Sequence, residues 1–253
     1  GVYTGEMMNN ARHGKGSIVW DDSARYEGEW KDDKAHGFGT FYHVDGDVYQ
    51  GNWENDMANG DGTYISNDGS IYKGEWKDDL QHGLGTETWP DGSMYKGEYS
   101  EGIKEGHGVY NWSNGSSYEG YWEDNQLNGQ GTYSWFDGRK YSGNFLNNMM
   151  HGYGKHFWND GRKYIGEYSC DKKHGYGEYH WRDGKLYKGF WREGLQEGYG
   201  QYVLTTGEIR IGIWKKGKRI EWLSNEQITE LKNDKNKEDV CSLLFTTKPL
   251  ELN

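Results

Sequence analysis

Residues 72–94 read Tyr-Lys-Gly-Glu-Trp-Lys-Asp-Asp-Leu-Gln-His-Gly-Leu-Gly-Thr-Glu-Thr-Trp-Pro-Asp-Gly-Ser-Met, and residue 95 is again tyrosine. The spacing continues outward in both directions. Tyrosine stands at 3, 26, 49, 72, 95, 118, 141, 164 and 187, a period of 23 without insertion, and Arg210 takes the tenth place. Glycine follows two residues later each time, from Gly5 to Gly212. Four residues after the tyrosine come Trp30, Trp53, Trp76, Tyr99, Trp122, Phe145, Tyr168, Trp191 and Trp214, with Met7 the exception. A Gly-x-Gly pair follows, as in His36-Gly37-Phe38-Gly39 and His151-Gly152-Tyr153-Gly154, and Asp-Gly often closes the unit, as in Asp45-Gly46, Asp91-Gly92 and Asp183-Gly184. Self-similarity at a fixed period of this size is the signature of a repeat architecture.

The turn chemistry makes each unit a hairpin. Asp32-Asp33, Asn55-Asp56, Asp78-Asp79 and Asn147-Asn148 are residue types that tolerate the positive φ of a two-residue hairpin turn. Placing the turn there sets Trp76 opposite Gln81, and extrapolating that register sets Gly74 opposite Gly83 and Tyr72 opposite Gly85. Proline decides the second turn. Pro90 cannot donate a ladder hydrogen bond, so Pro90-Asp91-Gly92 is expected as a three-residue loop with a glycine bulge. That loop pairs Glu87 with Tyr95 and Tyr64 with Tyr72. It also puts Phe41, Tyr64, Tyr110, Tyr133, Tyr179 and Tyr202, with Trp20, Trp89, Trp112, Trp135, Trp158 and Trp181, on the same face as the tyrosine column. The opposite face is largely polar, with Thr40, Thr63, Thr86, Thr132, Glu29, Glu75, Glu98 and Glu167.

The columns Tyr-x-Gly-x-Trp, His-Gly-x-Gly and Asp-Gly resemble the MORN repeat family over residues 1 to about 222, as about nine and a half copies in register. The resemblance implies an all-β fold, an elongated single-layer antiparallel β-meander or solenoid of hairpins. The array is assigned to residues 1–222, and residues 223–253 to a C-terminal capping helix and flexible tail. Ser224 and Gln227 read as a capping box for a short helix to about Asn233 that either caps the end of the sheet or serves as a docking segment for a partner. Residues 234–240 read as a flexible link, and Ser242–Phe245 as either a partner-binding strand or a segment that folds back. The lack of an initiator Met, and of a closing turn before Tyr3, predicts further sequence upstream.

Composition agrees with a fold built from rings. Aromatic residues make up 16% of the 253 residues, about half of the hydrophobic 33%, beside 40 Gly and only 2 Pro. Tyrosine and tryptophan bury large areas and carry hydrogen-bonding tips, so ring packing replaces an aliphatic centre. No apolar run is long enough for a transmembrane helix, and the N-terminal residues lack a signal-peptide pattern. Cys170 and Cys241 cannot form a disulfide framework, which points to a reducing, cytoplasmic compartment.

No catalytic constellation is visible. His13, His36, His82, His151 and His174 recur at one repeat position and read as turn and packing residues. Gly37-Phe38-Gly39 lacks the helix a phosphate loop needs. Asp45-Gly46-Asp47 is too short for a calcium loop. No cofactor and no metal are expected, and Cys170 reads as a surface thiol in a turn. Charge is more informative. Residues 1–114 hold 21 acidic and 9 basic side chains, net −12, and residues 115–222 hold 13 and 16, net +3, within a chain of net −11. Arg139, Lys140, Arg162, Lys163, Lys172, Lys173 and Lys185, with Lys215 to Arg219, read either as drift among solvated surface positions or as a basic stripe for an acidic partner. Nucleic acid is disfavoured by the net charge.

The leading functional reading is a non-enzymatic scaffold that takes a peptide or helix of another protein in an aromatic groove. Tyr72, Trp89, Tyr95, Trp112, Tyr118, Trp135 and Tyr141 are read as exposed central rings lining it. The resemblance alone implies a cytoskeletal, ciliary or axonemal setting, since the family includes proteins of flagellar axonemes and protist cortical structures. Membrane association through anionic lipids on the basic C-terminal half ranks second. The regulatory part of a larger enzyme ranks third. Homodimerisation through the opposed charges of the two halves is compatible with all three.

Overall fold

The structure, a computed structural model, describes residues 1–245. Seven-residue strands such as Ile71–Lys77 alternate with nine-residue strands such as Leu80–Thr88. The chain divides into two compact units, Gly1–Gln126 and the residues from Leu127 onward. In each unit the strands form an open antiparallel sheet of hairpins in which sequence neighbours pair. The two turn arguments hold. Asp78 and Asp79 sit at φ 48° and 67°, the left-handed pair a tight hairpin needs. In the Pro90-Asp91-Gly92 loop, Gly92 N–H donates to Trp89 O at 2.9 Å and Trp89 N–H to Ser93 O at 3.0 Å. Glu87 pairs with Tyr95 and Tyr64 with Tyr72.

The register within the first hairpin differs from the extrapolated one. Trp76 does face Gln81, but Gly74 faces Gly85 and Tyr72 faces Glu87, because a bulge intervenes between Gly74 and Glu75. Gly83 adopts φ +58° there, a conformation that favours glycine. The Glu75 carboxylate accepts the Leu84 N–H at 3.0 Å, and Glu98 and Glu167 do the same for His107 and Tyr176. The repeating glutamates of the polar face therefore satisfy backbone groups that the bulge removes from the ladder.

The tyrosine still lies over glycine, diagonally. A Cβ on Gly74 would lie 2.6 Å from the Tyr72 hydroxyl, and one on Gly85 2.5 Å from Tyr72 Cε2. The glycine pair is thus the floor on which the ring lies flat. The Tyr72 hydroxyl donates to Glu75 O at 3.0 Å, and the equivalent bond recurs from Tyr26 to Tyr187. Each ring then meets two others edge to face, as Tyr72 meets Trp76 and Tyr99 at 5.2 Å. These rings form the interior of a sheet with no second layer.

Neighbouring hairpins are also tied at their turns. Ala58 N–H donates to Asp79 Oδ1 at 2.7 Å while Asp79 N–H donates to Ala58 O at 3.1 Å. In the second unit Met150 and Asp171 make the same exchange at 2.8 and 2.9 Å.

After Lys218–Trp222 come two helices, α1 (Asn225–Asn233) and α2 (Glu238–Phe245). The Ser224–Gln227 capping box is present. Two expectations for the tail are corrected. Residues 234–240 are not a link but a 3-10 turn, Lys235–Lys237, capped by Asp234 and running into α2. Ser242–Phe245 is helical and folds back, with Leu244 fully buried and the Tyr176 hydroxyl donating to Leu243 O at 2.8 Å. Because α2 packs on strands Leu186–Arg192 and Leu195–Val203, the tail covers the side of the sheet away from the tyrosine column, whereas an edge cap was expected. Residues 246–253, the end of the expected tail, lie outside the described residues.

Candidate partner-binding face

The seven rings read as an exposed groove divide into two groups. Tyr72, Tyr95, Tyr118 and Tyr141 are buried, with Tyr95, Tyr118 and Tyr141 at 0% exposure, so the expectation that they are exposed is corrected. They lie on the glycine floor and are roofed by the aromatics four residues on. Burial pushes their hydroxyls far above the ordinary tyrosine range. Trp89, Trp112 and Trp135 are half-buried and stand at the start of the three-residue turns. Trp89 stacks on Tyr110 at 5.4 Å and Trp135 on His156 at 5.2 Å.

The basic stripe also divides. Arg139 and Arg162 lie on the ring face, 5.0 Å over Trp135 and 5.5 Å over Trp158, and are paired with Asp137 and Asp160 of their own turns. Lys185 is paired with Asp183 in the same manner at 2.6 Å. Lys140, Lys163 and Lys172 alternate with Tyr141, Tyr164 and Lys173 along their strands and therefore project from the opposite face. Lys172 pairs there with Glu193 at 2.5 Å. The seven cations do not form one surface.

Lys173 is the exception within this set. Its ammonium lies 4.4 Å from the Tyr179 ring and 4.5 Å from Trp191, and no carboxylate among the described residues pairs with it. Burial, then the Arg162 charge, lowers its pKa to about 8. His156 lies nearby in sequence register, sandwiched between Trp135 and Trp158 with ring planes 5° from parallel. Burial pushes its pKa down to about 4, and the neutral ring has Nε2 buried without a partner.

The first unit solves the same positions differently. Lys104, 69 residues before Lys173, pairs with Glu87 at 3.0 Å, and Glu87 also accepts from the Tyr99 hydroxyl at 2.9 Å. Further toward the N-terminus, Phe41, His43, Tyr49, Trp53, Tyr64 and Trp76 line a cavity of about 330 Å³ with Ala58, Asp56 and Asp79. In the second unit a cavity of about 350 Å³ lies between Trp181, Tyr202, Trp214 and Trp222, with Arg210 and Arg219 at its wall.

These cavities and the Lys104 site were missed in the sequence, and Lys173 reads there only as one cation of the basic stripe. The signal for them is the position nine residues after each tyrosine, which faces the aromatic column across the hairpin: Arg12, Ala35, Ala58, Gln81, Lys104, Leu127, Met150, Lys173, Gln196 and Arg219. Cys170, as expected, is exposed at a turn with φ +46°. Among the described residues no helix is long and apolar enough to cross a membrane, and no group of three His, Cys, Asp or Glu is placed to hold a metal.

A 23-residue hairpin, repeated with a tyrosine over a glycine pair and further aromatics on the same face, defines a β-hairpin repeat protein whose ring face is the candidate binding surface. The family model for the MORN repeat matches residues 3–25, 26–48, 49–71, 72–94, 95–117, 118–138, 141–161, 164–185 and 187–209, and the chain belongs to the MORN-repeat family. No curated protein matches the chain. Among solved structures it is similar to the G-box domain of the microcephaly protein CPAP, at 15% identity over 80% of this chain and 100% of that one, with a TM-score of 0.41. The TCP domain of SAS-4 from Drosophila melanogaster, in complex with a proline-rich motif of Ana2, matches at 9% identity over 79% and 90% of the two chains, TM-score 0.34. The TCP10 domain of Danio rerio CPAP matches at 15% identity over 82% and 99%, TM-score 0.28. These distant likenesses carry no argument about function.

Proposed function

We propose that this protein is a non-enzymatic scaffold that docks segments of other proteins on its ring-bearing face, within a cytoskeletal or ciliary, axonemal assembly. The observation that carries the reading is that Trp89 and Trp112 in the first unit, and Trp135 in the second, are only half-buried, whereas Tyr72, Tyr95, Tyr118 and Tyr141 are buried. Half-buried rings leave part of their surface to solvent, and large aromatics dominate binding hot spots. Membership of the MORN-repeat family supports the scaffold, and the axonemal and cortical proteins that the resemblance implies suggest the setting.

The test is cross-linking mass spectrometry on native extract fractionated into cytoskeletal and soluble pools. Links from the ring face to cytoskeletal proteins, lost on Trp89→Ala, Trp112→Ala and Trp135→Ala together but kept on Leu84→Ala on the opposite face, are expected. Recovery in the soluble pool with no ring-face links would overturn the reading.

One observation favours a second reading, binding to anionic lipid. Phe157, 41% exposed, lies between Lys140 and Lys163 in the ladder on the face away from the rings, an apolar residue flanked by cations. Co-sedimentation with phosphatidylserine vesicles that disappears on Lys140→Glu and Lys163→Glu would support it, and no binding at low salt would end it.

A further inference from the structure

The repeat supplies its own comparison for the cavity at Ala58. In the first repeat Arg12 lies nine residues after Tyr3, and its guanidinium sits 4.2 Å over the Trp30 ring. The same guanidinium pairs with Asp33, Nε to Oδ1 at 3.2 Å, and donates to Asp33 O at 2.6 Å. Two repeats on, Trp76 stands for Trp30 and Asp79 for Asp33, and the backbone frame is retained. Ala58 N–H donates to Asp79 Oδ1 as Arg12 N–H donates to Asp33 Oδ1, at 2.7 and 2.9 Å. Only the long side chain has gone, because residue 58 is alanine.

The space it leaves is the 330 Å³ cavity, walled by Trp53, Trp76 and Tyr64 with Asp56 and Asp79 at its rim. Asp33 has Arg12, whereas among the described residues no Lys or Arg pairs with Asp56 or Asp79. The surrounding unit, Gly1–Gln126, carries 24 acidic and 9 basic side chains, net −15. Aromatic walls with a carboxylate rim attract a flat, delocalised cation, and the guanidinium is better suited to stacking than a compact ammonium.

We propose that the cavity at Ala58 takes an arginine side chain of a partner protein, which occupies the place Arg12 holds within the first repeat. The proposal rests on the reading that the ring face docks protein segments, and it names the chemistry of one subsite on that face. The guanidinium stacks on Trp76 and pairs with Asp79, as the Arg12 guanidinium stacks on Trp30 and pairs with Asp33.

The test uses the full chain, labelled with ¹⁵N, titrated with the blocked tripeptides Gly-Arg-Gly, Gly-Lys-Gly and Gly-Glu-Gly. Gly-Arg-Gly is expected to shift the Trp53 and Trp76 indole signals and the Ala58 amide, saturating in the millimolar range as a lone side chain should. Gly-Lys-Gly should bind more weakly and Gly-Glu-Gly should leave these signals unmoved. Asp79→Asn should weaken the arginine peptide by about fivefold to tenfold. Ala58→Arg, which rebuilds the internal arrangement of the first repeat, should abolish the shifts while keeping the circular dichroism spectrum of the parent. Unmoved indole signals with Gly-Arg-Gly, equal binding of the lysine peptide, or an unchanged affinity in Asp79→Asn would each overturn the proposal. None of these outcomes touches the docking reading, which is decided separately by the cross-links lost on substitution of Trp89, Trp112 and Trp135.

Discussion

Replacing Gly85 by alanine tests the idea that tyrosine over glycine holds the sheet. The new Cβ would lie 2.5 Å from Tyr72 Cε2, 2.5 Å from its hydroxyl oxygen and 2.6 Å from Cζ, distances that real Cβ atoms do not tolerate. Tyr72 cannot simply tilt away. It is 3% exposed, its hydroxyl is bonded to Glu75 O, and it meets Trp76 and Tyr99 edge to face at 5.2 Å each. Overpacking of a rigid site costs about 1–3 kcal/mol, and loosening one aromatic pair about 0.5–1.5 kcal/mol more. The expected destabilisation of this hairpin is therefore about 3 kcal/mol. Repeat arrays open locally, so the assay is amide hydrogen exchange on Ile71–Lys77, where exchange should accelerate by about 100-fold. Gly92→Ala is the control, since its φ of +87° costs strain but nothing lies within 4 Å of the added carbon. A change below about 0.5 kcal/mol in Gly85→Ala, or one equal to the control, would refute the reasoning.

Glu87→Gln should cost about 1–2 kcal/mol, because Lys104, with a side chain only 16% exposed, loses its counter-ion. Adding Lys104→Met should recover most of the loss in a thermal melt. His156 has its pKa lowered from 6.5 to about 4 by burial, so the unfolded chain binds the proton more readily and this contribution is lost as pH falls from about 6.5 toward 4. The groups that face it are Arg139, Lys173, Asp137 and the Tyr168 hydroxyl, and His156→Phe should flatten stability against pH in that window. Lys173 runs oppositely: with its pKa lowered to about 8, the cost of burying its charge is full below pH 8 and is relieved as pH rises toward 10.5. The stability advantage of Lys173→Met over the parent should thus shrink between pH 7 and pH 10. Leu244→Ala, at a fully buried position of α2, should cost about 2–4 kcal/mol of helix docking, read as faster proteolysis of the C-terminal segment with the repeats intact.

What the sequence disclosed follows from which interactions are local. Both turns were legible because Asp78-Asp79 and Pro90-Asp91-Gly92 constrain their own φ angles, and the register Glu87 to Tyr95 followed from the proline alone. The bulge at Gly74 and Glu75 was not legible, because it depends on the Glu75 carboxylate reaching a backbone N–H nine residues on. Burial of the tyrosines was missed for a related reason. Alternation places Tyr72 and Trp89 on one face but does not say which is buried, and the burial of Tyr72 comes from the close approach of its ring to Gly74 and Gly85. The tail was misread because its polar stretch, Asp234 to Asp239, is held by capping and by Leu244 rather than by its own hydrophobicity.

The columns therefore differ in what a substitution there can do. Tyrosine, the glycine pair beneath it and the aromatic four residues on are fixed by one another's geometry, and a change at any of them is felt by the sheet. The position nine after the tyrosine is different, since it faces the aromatic column across the hairpin and its side chain varies from repeat to repeat. There the chain carries Arg12 paired with Asp33, Ala58 above a cavity, Lys104 paired with Glu87 and Lys173 without a carboxylate, all on the same backbone frame. Because ring packing and backbone bonds hold that frame, its charge changes from repeat to repeat on the same backbone. On the proposed docking of an arginine at Ala58, affinity for a partner is altered by substitution at residue 58, and stability of the array by substitution at residue 85.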